Sequence, residues 1–224
     1  PKNITLDQLI EVNKALLHSG MDIYQMNTVR KHLDSVKGGG LSKILYPATV
    51  ASLIFSDVPG NDLSFIASGP TVKDATSIQD ALHLLNEFNI ADKVPVKPED
   101  FIETPKEEKY FTNVSDFVIL SNVTALDAMK DTALKMGLNV LNSSDRVQGV
   151  ADDLGKMLLE KTKPGHLLLA AGESTVKVKG ERGKGGRNQE LVLASLKLLD
   201  QDTSIASFAS DGWDNTEFAG AIGD

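Results

Sequence analysis

An α/β fold in two layers is predicted from three observations. Apolar runs of strand length, Thr49–Phe55, Phe117–Leu120 and Leu167–Ala171, alternate with segments of helical periodicity. These runs deliver glycine- and aspartate-bearing loops at their carboxyl ends, where open α/β sheets place ligands. Between the two halves, Lys93–Lys109 mixes Pro95, Pro98 and Pro105 with many charges, the composition of a linker. The expected domains are therefore 1–105 and 113–224.

The elements follow in order. Thr5 with Gln8 makes a capping box and Ile4 with Leu9 a hydrophobic staple, so a helix starts there and stops at Gly20. A second helix is predicted from about Asp22 to Val36, with Ile23, Met26, Val29 and Leu33 as its apolar stripe and Asn27, Arg30 and Lys31 on another face. It ends in Lys37-Gly38-Gly39-Gly40, more glycine than a helix cap needs: either a connector or a ligand-facing loop. A short helix over Leu41–Leu45 comes next. Thr49–Phe55 reads as a strand buried on both faces, leading to Asp57 and Asp62; a second short strand, Leu63–Ala67, leads to Ser68-Gly69-Pro70-Thr71. Asp57 and Asp62 either hold Mg²⁺ or a basic side chain, or serve ordinary turn chemistry. Ser77–Phe88 is an amphipathic helix.

In the second half the predicted order is strand Phe117–Leu120, a helix to about Met136, strand Asn139–Leu141, a helix from about Val147 to Lys161, and strand Leu167–Ala171. That order implies parallel crossovers. Gly172-Glu173 interrupts the last strand before Ser174–Lys179, which signals a bulge or the close approach of another group. A final strand, Ser204–Ala209, presents Ser210-Asp211-Gly212-Trp213-Asp214. A start at Pro1 without methionine and an end at Asp224 without a closing element are expected of a fragment.

Composition narrows the function. Hydrophobic content of 41% and charged content of 24% are ordinary for a globular chain. A net charge of −8 argues against general nucleic-acid binding. The absence of cysteine excludes disulfides and thiol chemistry, and the four histidines form no metal-ligand pair. No run reaches the roughly 18 apolar residues of a membrane span, and no signal peptide is visible. A cytoplasmic location is expected.

The most informative stretch is Gly183-Lys184-Gly185-Gly186-Arg187-Asn188-Gln189-Glu190, which opens a helix. Glycines let the backbone approach a ligand, a helix start favours an anion, and Arg187 adds a charged fork suited to phosphate or carboxylate. Lys177, Lys179, Arg182 and Lys184 surround it, so the stretch is either an anion site or a solvated basic turn. Glu173, Asp211 and Asp214 lie at strand ends or breaks nearby and with Arg187 are expected to hold Mg²⁺ and a polyphosphate. Neither a P-loop nor a protein-kinase signature is present. The residues alone therefore point to an α/β enzyme handling a small anion.

Five ordered blocks carry a resemblance that goes further: Asn27–Leu33 with Lys37-Gly38-Gly39; Ser56-Asp57-Val58 through Ala67–Thr71; Gly172–Val176; Gly185–Glu190; and Ser210–Asp214. Together they resemble the glycerate 2-kinase family, which carries a MOFRL domain at its C-terminal end. The resemblance implies two Rossmann-like α/β domains with the active site in the interdomain cleft, and transfer of the ATP γ-phosphoryl group to the 2-hydroxyl of D-glycerate with a divalent cation, Mg²⁺ or another. Arg187 matches the family's functional arginine. On this reading Arg30, Lys31, Lys37, Gly38, Gly39, Ser68, Gly69, Gly185, Gly186 and Asn188 bind substrate or phosphate, and D-glycerate and ATP are the partners. Neither nucleic acid nor membrane is expected, and a homodimer is left open. Nothing in the chain matches the family's N-terminal glycine-rich segment with its lysine, and the family's Asp-Gly-x-Asp-Gly-Pro-Thr reads Asp211-Gly212-Trp213-Asp214-Asn215-Thr216-Glu217 here. Two alternatives stand beside the kinase: a hydroxypyruvate reductase, which would require a dinucleotide fingerprint that is not found, and a non-catalytic nucleotide- or sugar-acid-binding module.

Overall fold

A computed structural model describes residues 4–178 and 183–224. Lys179 and Arg182 of the basic stretch lie outside the described residues. The chain divides into two compact units, Pro1–Ile54 with Asp62–Ile119, and Phe55–Asn61 with Leu120–Asp224.

In the first unit, helices begin where local capping chemistry places them. Helix α1 (Leu6–Leu17) opens with the Thr5–Gln8 capping box, α2 (Ile23–Lys31) with Asp22–Gln25, and α4 (Ile78–Glu87) with Ser77–Asp80. The short α3 (Gly40–Leu45) lies between α2 and α4 in the chain. Helix α2 stops well before Val36 because Asp34 Oδ1 accepts the amides of Val36 at 2.7 Å and Lys37 at 3.3 Å. That side-chain turn competes with the helical hydrogen bonds. Val12, Leu16, Val29, Leu33, Ala81 and Leu85 form the core. Val94, Val96 and Phe101 are buried with them, so much of the stretch expected to be a linker is packed structure. Three prolines signalled a break, but apolar side chains between them are anchored, and the Ile102 amide donates to His32 O at 2.8 Å.

Strand β1 (Val50–Ser56) pairs with β2 (Val114–Ser121). Leu53 and Phe55 are 65% and 68% exposed, so β1 alternates in burial where burial on both faces was expected. The expected strand over Leu63–Ala67 does not form. Asp62 instead accepts the Phe65 and Ile66 amides on its carbonyl and the Ser64 amide on its side chain, the turn alternative of the sequence reading. Ala67, Ser68 and Gly69 then run left-handed, with φ of 51°, 61° and 59°.

The second unit holds α5 (Asn122–Lys135), β3 (Asn139–Val150), α6 (Ala151–Lys161), β4 (His166–Thr175), α7 (Arg187–Ser195), β5 (Ile205–Phe208) and β6 (Gly220–Gly223). Strands β3 and β4 are parallel, joined through α6 as the strand–helix–strand order requires. The register slips between Leu141 and Ser144 and again between Ser144 and Val147. Pairing then continues to Val150 opposite Thr175, which delays α6 to Ala151. At Gly172, φ is 155° and a Cβ would stand 1.9 Å from Val147 O: the predicted close approach is that of the neighbouring strand. Ala151, Leu154, Leu191 and Val192 pack α6 on α7, with Gly155 against Ser195. The last residues, expected to trail without a closing element, form β6 antiparallel to β5.

Candidate functional site

In the first unit, the two glycine-bearing loops meet, but they bind each other. The Gly38 amide donates to Ser68 O at 2.9 Å and the Gly39 amide to Gly69 O at 2.8 Å. The Ser68 and Gly69 amides in turn donate to Phe65 O and Ile66 O. These four amides were expected to serve a ligand; each is committed to a carbonyl. Gly39 is glycine for two reasons: φ is 84°, and a Cβ would stand 2.7 Å from the Phe111 ring.

Lys31 is likewise reassigned. It lies inside the unit, its Nζ 3.1 Å from Asp74 Oδ1, with side chains only 10% and 2% exposed. Burial alone would raise the Asp74 carboxyl, but the Thr76 hydroxyl and the Lys31 and Lys106 ammonium groups outweigh it and hold it below its ordinary value. Thr104 Oγ1 also donates to it at 3.2 Å, and Lys106 Nζ donates to Asp74 O. Asp74 and Thr104 also wall Gly38, whose Cβ would stand 2.8 Å from Thr104 Cγ2. The network therefore underpins the loop. Sequence reading missed Asp74 because its charged partner is 43 residues away, and no local pattern links them. Arg30 is half-engaged: Nε donates to Asn13 Oδ1 at 2.8 Å and Nη1 reaches Asn27 Oδ1 at 3.4 Å. Lys37 reaches Ala67 O at 3.5 Å, a long contact that leaves most of its donor capacity free.

In the second unit, the start of α7 already has an anion, and it is the protein's own. Asp214, 3% exposed, accepts the Asn188 amide on Oδ1 at 3.1 Å and the Gln189 amide on Oδ2 at 2.9 Å. It caps the helix from 26 residues away. Asn188 Nδ2 adds a third hydrogen bond to it at 3.0 Å, and Asn188 Oδ1 accepts from Ser207. Burial pushes the Asp214 carboxyl up, but the Gln189 and Asn188 amides and side chains outweigh it and leave it lowered. Gly186 has no room for a side chain, since a Cβ would stand 2.2 Å from Asp214 O. Asp214, Asn188 and Gly186 thus build the helix start, where the sequence suggested metal and phosphate contacts.

Arg187 faces outward. Its guanidinium pairs with Glu173 Oε1 at 2.5 Å, with side chains 45% and 50% exposed. Glu173 orients the arginine. Asp211 Oδ1 accepts the Trp213 amide at 3.0 Å, an ordinary turn contact, and its side chain is exposed. Among the described residues, no three acidic or histidine side chains gather as a metal site. The three expected carboxylates do not fit a resident cation: one caps a helix, one pairs with arginine and one stands in a turn. A cavity of about 400 Å³ in this unit is lined mainly by apolar residues of α5 and β4.

With this geometry in place, comparison with known proteins defines the class. Residues 1–103 match the family described as "Domain of unknown function (DUF4147)" and residues 166–224 match the MOFRL family. The chain is an α/β protein of DUF4147–MOFRL organisation. It is 38% identical to the glycerate 2-kinase of Pyrococcus horikoshii, a match covering 100% of this chain and 55% of that protein. The crystal structure of a glycerate kinase from Thermotoga maritima superposes with a TM-score of 0.83 at 32% identity, covering 100% of this chain and 56% of that one. An Agrobacterium vitis protein carrying a provisional hydroxypyruvate reductase name is 37% identical, over 98% of this chain and 53% of that protein. The chain belongs to the glycerate 2-kinase family, and it spans about half the length of the curated relatives it matches.

Among the described residues, no helix is long and apolar enough to cross a membrane.

Proposed function

We propose that this chain is the part of an ATP-dependent kinase that phosphorylates the 2-hydroxyl of D-glycerate. The observation that carries the reading is the match of the entire chain, in sequence and in fold, to glycerate kinases. Arg187 is assigned to the transferring phosphoryl group. Its support is a half-exposed guanidinium held in place by Glu173, because phosphoryl transfer depends on preorganised charge. The α7 amides that Asp214 occupies are not part of this assignment. Arg30 and Lys37, each with donors to spare, are the remaining first-unit candidates for substrate anions. The divalent cation enters as part of the Mg·ATP substrate. The protein's partners are then small molecules in the cytoplasm.

The reductase name on two of the relatives keeps a second reading in view. Against it, no glycine loop in this chain has the Gly-x-Gly-x-x-Gly fingerprint after a strand. The test is a paired assay on the protein at its natural length. ADP release that depends on D-glycerate supports the kinase; NAD(P)H oxidation that depends on hydroxypyruvate, without glycerate-dependent ADP release, overturns it.

A further inference from the structure

We propose that Asn61 and Arg146 form the subsite for the phosphoryl acceptor in the second unit, binding a small carboxylate that carries an adjacent hydroxyl. The inference rests on the kinase reading above and names which residues hold the acid.

The loop after β1 belongs to the second unit as far as Asn61. Asn61 is left-handed, with φ 54°, and its amide donates to Val58 O at 3.0 Å. Asparagine is among the few residues that take this conformation readily. Among the described residues, Asn61 Oδ1 is the one buried side-chain polar atom with no hydrogen-bond partner. Such atoms are rare in folded proteins and call for an explanation, and a ligand donor is one that removes the cost.

The neighbouring residue supplies the second half of the site. Gly60, at φ 83°, leaves space that the Arg146 guanidinium uses: a Cβ there would lie 3.3 Å from its Cζ and 3.4 Å from its Nε. Arg146 sits on β3, in a segment tied down by Asn122 Nδ2, which donates to Asp145 O at 2.6 Å. Its ion-pair partner is the adjacent Asp145, 3.8 Å from Nε and beyond hydrogen-bond length, and its side chain is 70% exposed. An exposed guanidinium fork thus lies against the residue next to an unpartnered acceptor. The fork matches a carboxylate and the amide oxygen matches a hydroxyl hydrogen. A 2-hydroxy acid carries those two groups on neighbouring carbons. A nucleotide also carries anionic groups and hydroxyls, so the experiment separates the two substrates.

The test measures KM for D-glycerate and for ATP, and the inhibition constant of 3-hydroxypropionate, which lacks the 2-hydroxyl, in the protein at its natural length. Asn61→Gly keeps the left-handed backbone accessible and removes the acceptor. It should raise the glycerate KM about tenfold, with little change for ATP or for 3-hydroxypropionate. Arg146→Gln, at an exposed side chain, should weaken both acids about tenfold or more and leave ATP unaffected. An unchanged glycerate KM in both variants overturns the subsite, as does a rise confined to ATP. A wild-type protein that phosphorylates no glycerate removes the kinase reading and the subsite together. Normal wild-type turnover with unaffected variants removes the subsite alone.

Discussion

Gly186 is glycine because Asp214 occupies the space its Cβ would need. Gly186→Ala should therefore lower stability by about 1–3 kcal/mol, read as a lower urea midpoint with an unchanged slope. The Asp214 carboxyl is lowered in the native state, so its contribution is fully present above the unfolded aspartate value of about 3.9 and is lost as pH falls through its lower native value. Asp214→Asn should cost about 1 kcal/mol at neutral pH and flatten that part of the acid limb. An unchanged acid limb would separate Asp214 from helix capping. Arg187 is the residue-scale prediction for activity. Alanine there should reduce turnover by about 10²-fold or more, and lysine should also be impaired because it lacks the planar fork. The loss should fall on kcat rather than KM, since the contact tightens in the transition state. Near-normal kcat with weaker glycerate binding would make Arg187 a substrate clamp.

At the scale of elements, α2 is fastened to the rest of the first unit by a buried ion pair. Lys31→Met should destabilise by about 3 kcal/mol, because Asp74 keeps a buried charge without its main counter-charge. Adding Asp74→Leu should recover part of that loss; a double variant as unstable as the sum of both single changes would contradict the coupling. The contrast between this pair and the helix caps explains what the sequence made legible. Thr5–Gln8, and likewise Ser77–Asp80, span three residues, so the chain announces those helix starts itself. Gly172 was readable as a close approach because glycine inside a strand has few other causes. Lys31–Asp74 and Asn188–Asp214 join residues 43 and 26 apart, and each engages within the protein a group that the sequence offers to a ligand. The end of α2 was lost to a single Asp34 side chain. Strand β6 was lost because Gly220-Ala221-Ile222-Gly223 has little strand character until β5 pairs with it.

At the scale of the whole molecule, an acidic chain with a net charge of −8 is assigned two anionic substrates. Binding must then come from local fixed charges such as Arg187 and Arg146, because the overall field repels both ligands. The family match covers the whole chain and about half of each relative, so activity is to be measured in the protein at its natural length. The most direct measurement is phosphorus NMR of the product formed from D-glycerate and ATP. The account predicts ADP and 2-phosphoglycerate, with one new phosphomonoester signal on the carbon next to the carboxylate. Formation of 3-phosphoglycerate, or no glycerate-dependent phosphoester at all, would contradict it.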